Sequence, residues 1–257
     1  MPAAERRPYF YVSAWARLVL QMESRPEKLN SMRTLERTIE TTTHGRYLIS
    51  PAEGASPAAV IVGFHGYGEN AETQMERLQS IPGCEHCLLI SIQGLHRFYR
   101  GSTNEVVASW MTRQDRESAI ADNISYVGKV IESVLPERKV KPPLLLAGFS
   151  QGVSMAFRAA AASTVLPVAV LAVGGDVPPE ITLQTLKRLS GAMLCRGMSD
   201  PYYSDEKFRD DEARLTAAGV NLRVLRYGGA HVWPDGLDGF LPSFMRDCFP
   251  DLAQKAD

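Results

Sequence analysis

The sequence has no apolar run of the roughly 18 residues that a membrane-spanning helix needs. Its formal net charge at pH 7 is only -1, so it lacks the excess of positive charge that attracts nucleic acid or an anionic membrane surface. Internal repeats and low-complexity tracts, the signs of a solenoid or a disordered chain, are also absent. We therefore predict no stable membrane insertion and no nucleic-acid partner, and we expect substrate recognition to be local.

Cysteine is scarce, with four in 257 residues. Cys84 and Cys87 form a C-x-x-C pattern with His86 between them, which is compatible with a metal or redox site. The sequence has no second ligand pair at the spacing of a zinc site. Free thiols in a reducing cytoplasm are the better interpretation, so we predict a cytoplasmic protein without a metal.

Length and composition predict one globular domain with a short extension. Hydrophobic residues make up 45% of the chain and charged residues 22%, which is ordinary for a globular protein. We assign residues 1–44 to a partly helical N-terminal extension, because Val12 to Glu23 has the pattern of an amphipathic helix, and residues 45–257 to the main domain. The extension is interpreted as a helix packed on the domain or, alternatively, as a flap over a functional site or a dimer contact. Both a monomer and a homodimer fit these patterns.

From Arg46 onward, apolar strand patterns alternate with helical patterns, the order typical of α/β proteins. The predicted strands are residues 46–50, 58–64, 87–93, 144–149, 167–173, 192–196 and 220–227. The predicted helices are residues 72–79, 113–135, 204–218 and 236–248, with a further helix after residue 152. Residues 94–108 are predicted to form a long irregular loop, and loops of that length are usually functional. We predict an α/β fold whose mostly parallel central sheet has about seven or eight strands, with helices on both faces.

The strongest functional signal lies in residues 142–162. An apolar run from Leu144 leads into Gly148-Phe149-Ser150-Gln151-Gly152 and then into an alanine-rich helical pattern. This order fits G-x-S-x-G, in which a serine occupies a strained corner between strand and helix and the glycines allow neighbouring backbone to come close. Such a corner exposes the hydroxyl and directs the N–H groups of the first helical turn at the bond under attack. Ser150 is the candidate nucleophile.

A serine nucleophile needs a base, and the base needs an acid that orients it. Of the five histidines, His231 alone follows a predicted strand downstream of Ser150, and glycines precede it. We predict that it is the general base. Asp200 also follows a strand and gives the order Ser, Asp, His of α/β-hydrolases, so it is the predicted acid. Asp176, which follows the strand before that, stays open as an alternative.

Two backbone N–H groups are expected to bind the oxyanion. One belongs to Gln151, and the other to Tyr67 in the His-Gly-Tyr-Gly turn of residues 65–68, where His65 is expected to brace the turn. Four aromatic residues are candidates for the wall of an acyl pocket, although aromatic residues at such positions are as common in a core. They are Phe98, Tyr99, Trp110 and Trp233.

Four segments together resemble the carboxylesterase, phospholipase and acyl-protein thioesterase family of α/β-hydrolases. They are Phe-His-Gly-Tyr-Gly (64–68), Gly-Phe-Ser-Gln-Gly (148–152), Arg-Gly-Met-Ser-Asp (196–200) and Gly-Ala-His (229–231). Ser-Trp-Met at 109–111 is similar to the family's Ser-Trp-Phe segment, and the resemblance extends over about residues 46–249. It implies the α/β-hydrolase fold, no cofactor, the Ser-Asp-His triad above and ester or thioester substrates. Residues 1–44 have no counterpart in the family, and residues 94–108 do not follow the thioesterase pattern.

These observations predict a serine carboxylic-ester hydrolase of the carboxylesterase type. Its expected partner is a small-molecule acyl ester or thioester of small to medium size, cleaved through an acyl-enzyme. Hydrolysis of an amide or peptide on the same fold remains open, because the machinery of acyl transfer is shared. A non-catalytic binding protein on a hydrolase scaffold is the other alternative.

Overall fold

The computed structural model describes residues 34–54, 56–135, 142–235, 237 and 241–249. The chain falls into two units, residues 1–42 and residues 43–257. In the first unit, residues 34–42 are exposed and contain no helix or strand. The helix predicted at Val12 to Glu23 lies outside the described residues, so the N-terminal extension stays a prediction.

The second unit alternates strands and helices as the sequence predicts. The strands are β1 (Arg46–Ser50), β2 (Val60–Phe64), β3 (Leu88–Gln93), β4 (His96–Tyr99), β5 (Val106–Ser109), β6 (Leu144–Phe149), β7 (Val168–Val173), β8 (Gly191–Gly197) and β9 (Leu222–Tyr227). The helices are α1 (Ala71–Gln79), α2 (Arg116–Val134), α3 (Gln151–Ala162), α4 (Leu183–Leu186), α5 (Asp205–Ala217) and α6 (Leu241–Cys248), and Cys84–His86 forms a 3-10 turn. In the part of the chain that the structure describes, no helix has both the length and the apolar character to cross a bilayer.

Seven strands form the central sheet in the order β1-β3-β2-β6-β7-β8-β9. β1 is antiparallel to β3, and every other pair is parallel. All residues of β2, β6, β7 and β8 are buried, as expected for parallel strands covered on both faces. The predicted fold class and the mostly parallel sheet are confirmed.

Helices cover both faces of this sheet. Because successive side chains of a strand point to opposite faces, Val62 and Leu146 belong to a core shared with α2, α3 and α5. Their neighbours Ile61 and Leu145 belong to the opposite core, shared with α1 and α6. The carboxyl ends of the parallel strands therefore meet along one open edge of the sheet, where ligands of such folds bind.

The segment predicted as an irregular loop, residues 94–108, forms a β-hairpin instead. β4 and β5 pair antiparallel, with Phe98 opposite Val107, and a bridge between Glu69 and Ala108 joins the hairpin to the turn after β2. The loop prediction is wrong, and the sequence missed this strand because β4 is exposed at all four positions. It therefore lacks the apolar and polar alternation by which a strand is recognised.

Gly152 lies where the start of α3 crosses the end of β2. A Cβ atom at this position would be 2.1 Å from the carbonyl oxygen of Phe64 and 2.7 Å from that of His65. Both atoms belong to the backbone, which cannot rotate out of the way as a side chain can. The helix can approach the strand this closely only because residue 152 has no side chain.

Asp211 connects α5 to two loops at the carboxyl edge. Its Oδ2 accepts hydrogen bonds from the N–H of Val177 at 3.0 Å and from the hydroxyl of Tyr203 at 2.9 Å. Burial raises the pKa of this carboxyl to about 6, although the two hydrogen bonds and the charge of Arg214 act in the opposite direction. The folded protein therefore protonates this carboxyl at a higher pH than an ordinary aspartate, below about pH 6.

We predict that Gly152→Ala is destabilising, because its methyl group must displace the backbone of β2. The expected loss in free energy of unfolding lies at the upper end of the roughly 1–3 kcal/mol typical of overpacking. Gly128→Ala is the matched control, because a Cβ atom there meets nothing within 4 Å in the middle of α2. That variant should gain about 0.5–1 kcal/mol. Urea unfolding of both proteins tests the pair, and equal effects would contradict the prediction.

The raised pKa of Asp211 predicts a pH-dependent stability. The folded value of about 6 lies above that of an unfolded aspartate, about 3.9. The protonated carboxyl therefore contributes its full stabilisation to the free energy of unfolding below about pH 4, and this contribution is lost as the pH rises through about 6. Asp211→Asn does not titrate. Its free energy of unfolding relative to the parent should therefore improve by up to about 3 kcal/mol between about pH 4 and about pH 7. Urea unfolding across this range measures the difference, and a constant difference would refute the prediction.

Candidate active site

Ser150 occupies the corner between β6 and α3. Its backbone has φ 53° and ψ -121°, a region that non-glycine residues rarely adopt. Its N–H donates to the carbonyl of Val173 at 2.9 Å, and its carbonyl accepts from the N–H of Val153 at 3.0 Å. The strained conformation is thus fixed by hydrogen bonds on both sides, as strain at functional sites generally is.

His231 follows β9 and lies between the serine and an acid. Its Nε2 is 2.8 Å from the Oγ of Ser150, and its Nδ1 is 2.7 Å from Oδ2 of Asp200. The rings of Phe149 and Tyr202 lie 5.0 Å and 4.9 Å from the imidazole ring, centre to centre. Contacts on two sides therefore restrict the rotation of the imidazole, while 17% of the side chain remains exposed.

Asp200 lies in the turn after β8, and its side chain is fully buried. Burial would raise the pKa of the carboxyl, but the N–H of Tyr203, His231 and the N–H of Tyr202 all donate hydrogen bonds to it, and the pKa is lowered as a result. The carboxylate is therefore ionised where it meets the imidazole. Asp176 is instead half exposed and lies 3.7 Å from the ammonium of Lys207, so the structure brings Asp200 to His231 and not Asp176.

The two predicted oxyanion donors lie on adjoining segments. Gln151 is the first residue of α3, and Tyr67 is in the turn between β2 and α1. Within the described part of the chain, neither backbone N–H has a hydrogen-bond partner. The close contact of Gly152 with the carbonyl of His65 shows that the turn rests against the start of the helix. Two backbone donors without a partner thus lie on segments that contact each other at the start of α3.

Sequence reasoning missed the role of the Gln151 side chain. Its Oε1 accepts from the N–H of Trp110 at 3.0 Å and from the hydroxyl of Ser109 at 3.2 Å, and its Nε2 donates to the carbonyl of Met111 at 2.9 Å. These bonds join the start of α3 to the end of β5 and the two residues after it. The resemblance contained both partners, glutamine after the serine and the Ser-Trp-Met segment, but only the structure shows that they are bonded.

His65 is fully buried at the start of the turn. Its Nδ1 donates to the carbonyl of Gly66 at 2.7 Å, and its Nε2 accepts from the N–H of Gly94 at 3.0 Å. Burial lowers the pKa of the imidazole, although the bond to Gly66 and the charge of Glu69 act the other way. The neutral ring can therefore make both bonds, one as donor and one as acceptor.

The structure corrects the position of Trp110, which was a candidate for the pocket wall. It is completely buried, its ring lies 5.5 Å from that of Phe64, and its indole N–H donates to the carbonyl of His65 at 2.8 Å. Trp110 therefore supports the turn from inside the core. The sequence could not distinguish this position from a pocket wall, because both favour a large aromatic residue.

The other three aromatic candidates reach the surface. Phe98 and Tyr99 lie on β4, and 37% and 65% of their surfaces are exposed. The ring of Phe98 is 5.7 Å from that of Tyr67, centre to centre. Trp233 is partly buried, with its ring 6.4 Å from that of Phe149. Phe98 thus lies beside the turn with a free N–H, and Trp233 lies beside the residue that precedes Ser150.

The C-x-x-C pattern lies on the 3-10 turn, remote in sequence from the residues above. Cys84 and Cys87 are free and buried. Burial and, to a smaller extent, the neighbouring Cys84 raise the pKa of Cys87 to about 11, so the protonated thiol is favoured. Among the residues that the structure describes, no three His, Cys, Asp or Glu side chains lie together as a metal site would need.

Comparisons with solved structures identify the same architecture. An acyl-protein thioesterase 2 from Zea mays is 18% identical, with a TM-score of 0.62 over 80% of this chain and 100% of the other. A carboxylesterase from Bacillus cereus is 13% identical, with a TM-score of 0.61 over 80% and 95%. A carboxylesterase from Mesorhizobium loti is 14% identical, with a TM-score of 0.56 over 82% and 94%. At these identities the similarity establishes the fold.

Family membership rests on the sequence itself. No curated protein sequence matches the chain. The family model described as Phospholipase/Carboxylesterase matches residues 47–221, which is more than half of the chain and includes β2 to α5 with Ser150 and Asp200. The predicted resemblance is confirmed, and the chain belongs to the phospholipase/carboxylesterase family of α/β-hydrolases, whose members are carboxylesterase-type serine hydrolases.

Proposed function

We propose that this protein hydrolyses small to medium acyl esters or thioesters through a Ser150-His231-Asp200 triad and an acyl-enzyme. One observation carries the proposal: the imidazole of His231 is 2.8 Å from the hydroxyl of Ser150 and 2.7 Å from the carboxylate of Asp200. A base in contact with the nucleophile and oriented by an acid is the arrangement that activates a serine.

In the first half of the reaction, Ser150 Oγ attacks the acyl carbonyl carbon while His231 Nε2 takes the hydroxyl proton. The ionised Asp200 accepts the Nδ1–H of the imidazole and stabilises the positive charge that forms there. The carbonyl oxygen becomes an oxyanion and accepts hydrogen bonds from the N–H groups of Tyr67 and Gln151. When the carbon–oxygen or carbon–sulfur bond breaks, the imidazolium gives its proton to the leaving alcohol or thiol.

In the second half, water replaces the leaving group. His231 takes a proton from the water, whose oxygen attacks the carbonyl carbon of the ester formed with Ser150. The same two N–H groups bind the second oxyanion. Its collapse breaks the bond to Ser150 Oγ, which recovers the proton from the imidazolium, and the carboxylic acid is released.

The proposed acyl site lies beside the turn of residues 65–68. The exposed ring of Phe98, 5.7 Å from that of Tyr67, offers apolar surface on one side of it, and Trp233 offers more on the side of Phe149. Successive side chains of a strand point to opposite faces, so Tyr99 does not share the side of Phe98. Apolar surface next to the nucleophile suits an acyl chain. The family description and the solved thioesterase and carboxylesterase structures support the same class of bond.

We predict that Ser150→Ala reduces the hydrolysis of p-nitrophenyl acetate or butyrate to near background, a loss in kcat on the order of 10⁶-fold. Ser154→Ala is the matched control, because Ser154 lies one turn further along the same helix. It should keep the activity of the parent. Reaction with a fluorophosphonate should label the parent and fail to label Ser150→Ala. Parent-like turnover by Ser150→Ala would refute the proposed nucleophile.

The identity of the acid is tested by comparing Asp200→Asn with Asp176→Asn. An asparagine at 200 can present its amide N–H to His231 and favour the wrong imidazole tautomer, so kcat should fall by roughly 10⁴-fold while the fold is kept. Asp176 pairs with Lys207 at the surface, so its variant should retain the parent rate. Steady-state kinetics on both proteins decide the question, and the opposite pattern would assign the acid to Asp176.

A further inference from the structure

The carboxylate of Glu69 holds the turn that carries the free N–H of Tyr67. Oε2 of Glu69 accepts a hydrogen bond from the N–H of Gly66 at 2.7 Å, and the N–H of Glu69 donates to the carbonyl of Gly66 at 3.3 Å. That carbonyl belongs to the same peptide group as the N–H of Tyr67. Glu69 therefore fixes the peptide plane from which the proposed oxyanion donor projects.

Glu69 is in turn held by Arg77 from helix α1. The guanidinium makes a two-point contact, with both carboxylate oxygens 2.6 Å from an Nη atom. Only 15% of the Arg77 side chain and 19% of the Glu69 side chain are exposed, so water weakens this pair much less than a surface pair. Burial would raise the pKa of Glu69, but the bonds and charge of Arg77 lower it, so the carboxylate is ionised.

The same guanidinium also touches the nucleophile and histidine segments. Its central carbon lies 4.0 Å from the ring centre of Phe149, the residue before Ser150, and 6.0 Å from that of Trp233, two residues after His231. A guanidinium over an aromatic face at these distances is attracted to it. Arg77 thus contacts one residue beside each of three parts of the site: the turn, the nucleophile corner and the histidine loop.

We propose that Glu69 and Arg77 form a positioning pair that keeps the Tyr67 N–H aligned with Ser150 and His231. The inference rests on the proposed function and extends it to two residues that do not touch the substrate. Their effect is expected on the transition state, because an oxyanion donor stabilises charge that the bound substrate does not yet carry. A displacement of this donor should therefore lower kcat and leave KM nearly unchanged.

Glu69→Gln is the direct test. Its amide oxygen can still accept from Gly66, but its NH₂ group faces the guanidinium and the two-point ion pair is lost. We expect kcat for p-nitrophenyl butyrate to fall about 10- to 100-fold, the range for a misplaced catalytic group, with KM changed less than about threefold. The inhibition constant of an arylboronic acid, whose serine adduct is a tetrahedral anion, should rise by the same factor as kcat/KM falls.

Glu72→Gln is the matched control. Glu72 lies on α1, as Arg77 does, and makes a two-point ion pair with Arg46. That pair is exposed and is not bonded to the triad or to the turn of residues 65–68. The control should keep the kinetics of the parent. Arg77→Lys keeps the charge but loses the planar two-point contact and the stacking, so its kcat should lie between those of the parent and Glu69→Gln. If circular dichroism shows that Glu69→Gln is unfolded, Arg77→Lys is compared with Glu72→Gln in its place.

The outcomes separate this inference from the proposed function. If the parent is not labelled by a fluorophosphonate and Ser150→Ala keeps its activity, the triad itself is refuted. If the parent is labelled but folded Glu69→Gln or Arg77→Lys matches Glu72→Gln in kcat and in boronic acid inhibition, the positioning role is refuted and the triad stands. A loss in melting temperature without the parallel kinetic and inhibitor changes would also refute it, because it would show a structural role alone.

Discussion

The site depends on backbone segments that pack against each other without intervening side chains. At Gly152 a Cβ atom would meet the backbone of β2, and at Gly175 it would lie 2.4 Å from the carbonyl oxygen of Ser150. The corner between β6 and α3 is therefore enclosed by the ends of β2 and β7. Because main-chain atoms have few alternative positions, this enclosure fixes the direction of the serine hydroxyl and of the N–H groups around it.

The carboxyl edge contains two acidic groups with opposite protonation tendencies, and Tyr203 contacts both. Its N–H donates to Asp200, whose pKa is lowered by several donors, and its hydroxyl donates to Asp211, whose pKa is raised by burial. Hydrogen bonds donated to a carboxylate lower its pKa, and the loss of hydration on burial raises it. The larger of the two effects decides the direction of the pKa shift at each site. Tyr203 thus connects the ionised carboxylate of Asp200 at the proposed catalytic centre with Asp211 on α5, whose pKa is raised.

The sequence predicted those features that depend on local pattern. Strands buried on both faces are continuous apolar runs, and residues such as Ser150, Asp200 and His231 follow strands whose carboxyl ends meet at one edge. It could not predict contacts between distant segments that carry no pattern of their own. The exposed strand β4, the complete burial of Trp110, the bonds of the Gln151 side chain to residues 109–111 and the contact of Arg77 with Phe149 all arise from tertiary packing.

The hairpin of β4 and β5 has an evolutionary consequence. It carries Phe98 next to Tyr67 of the proposed site, yet Ser150, Asp200 and His231 all lie on other segments. Besides the pairing of β4 with β5, Arg97 on β4 donates to the carbonyl of His44, and Arg100 just after β4 donates to the carbonyl of Gly68 at 2.8 Å. Mutation can therefore remodel the side chains of β4 without disturbing the hydrogen bonds of the triad. Strand β5 has less freedom, because Ala108 is bonded to Gly68 and Glu69 in the turn, so β4 is the part of the hairpin on which a lineage can vary the proposed acyl site while the proposed catalytic segments are inherited intact.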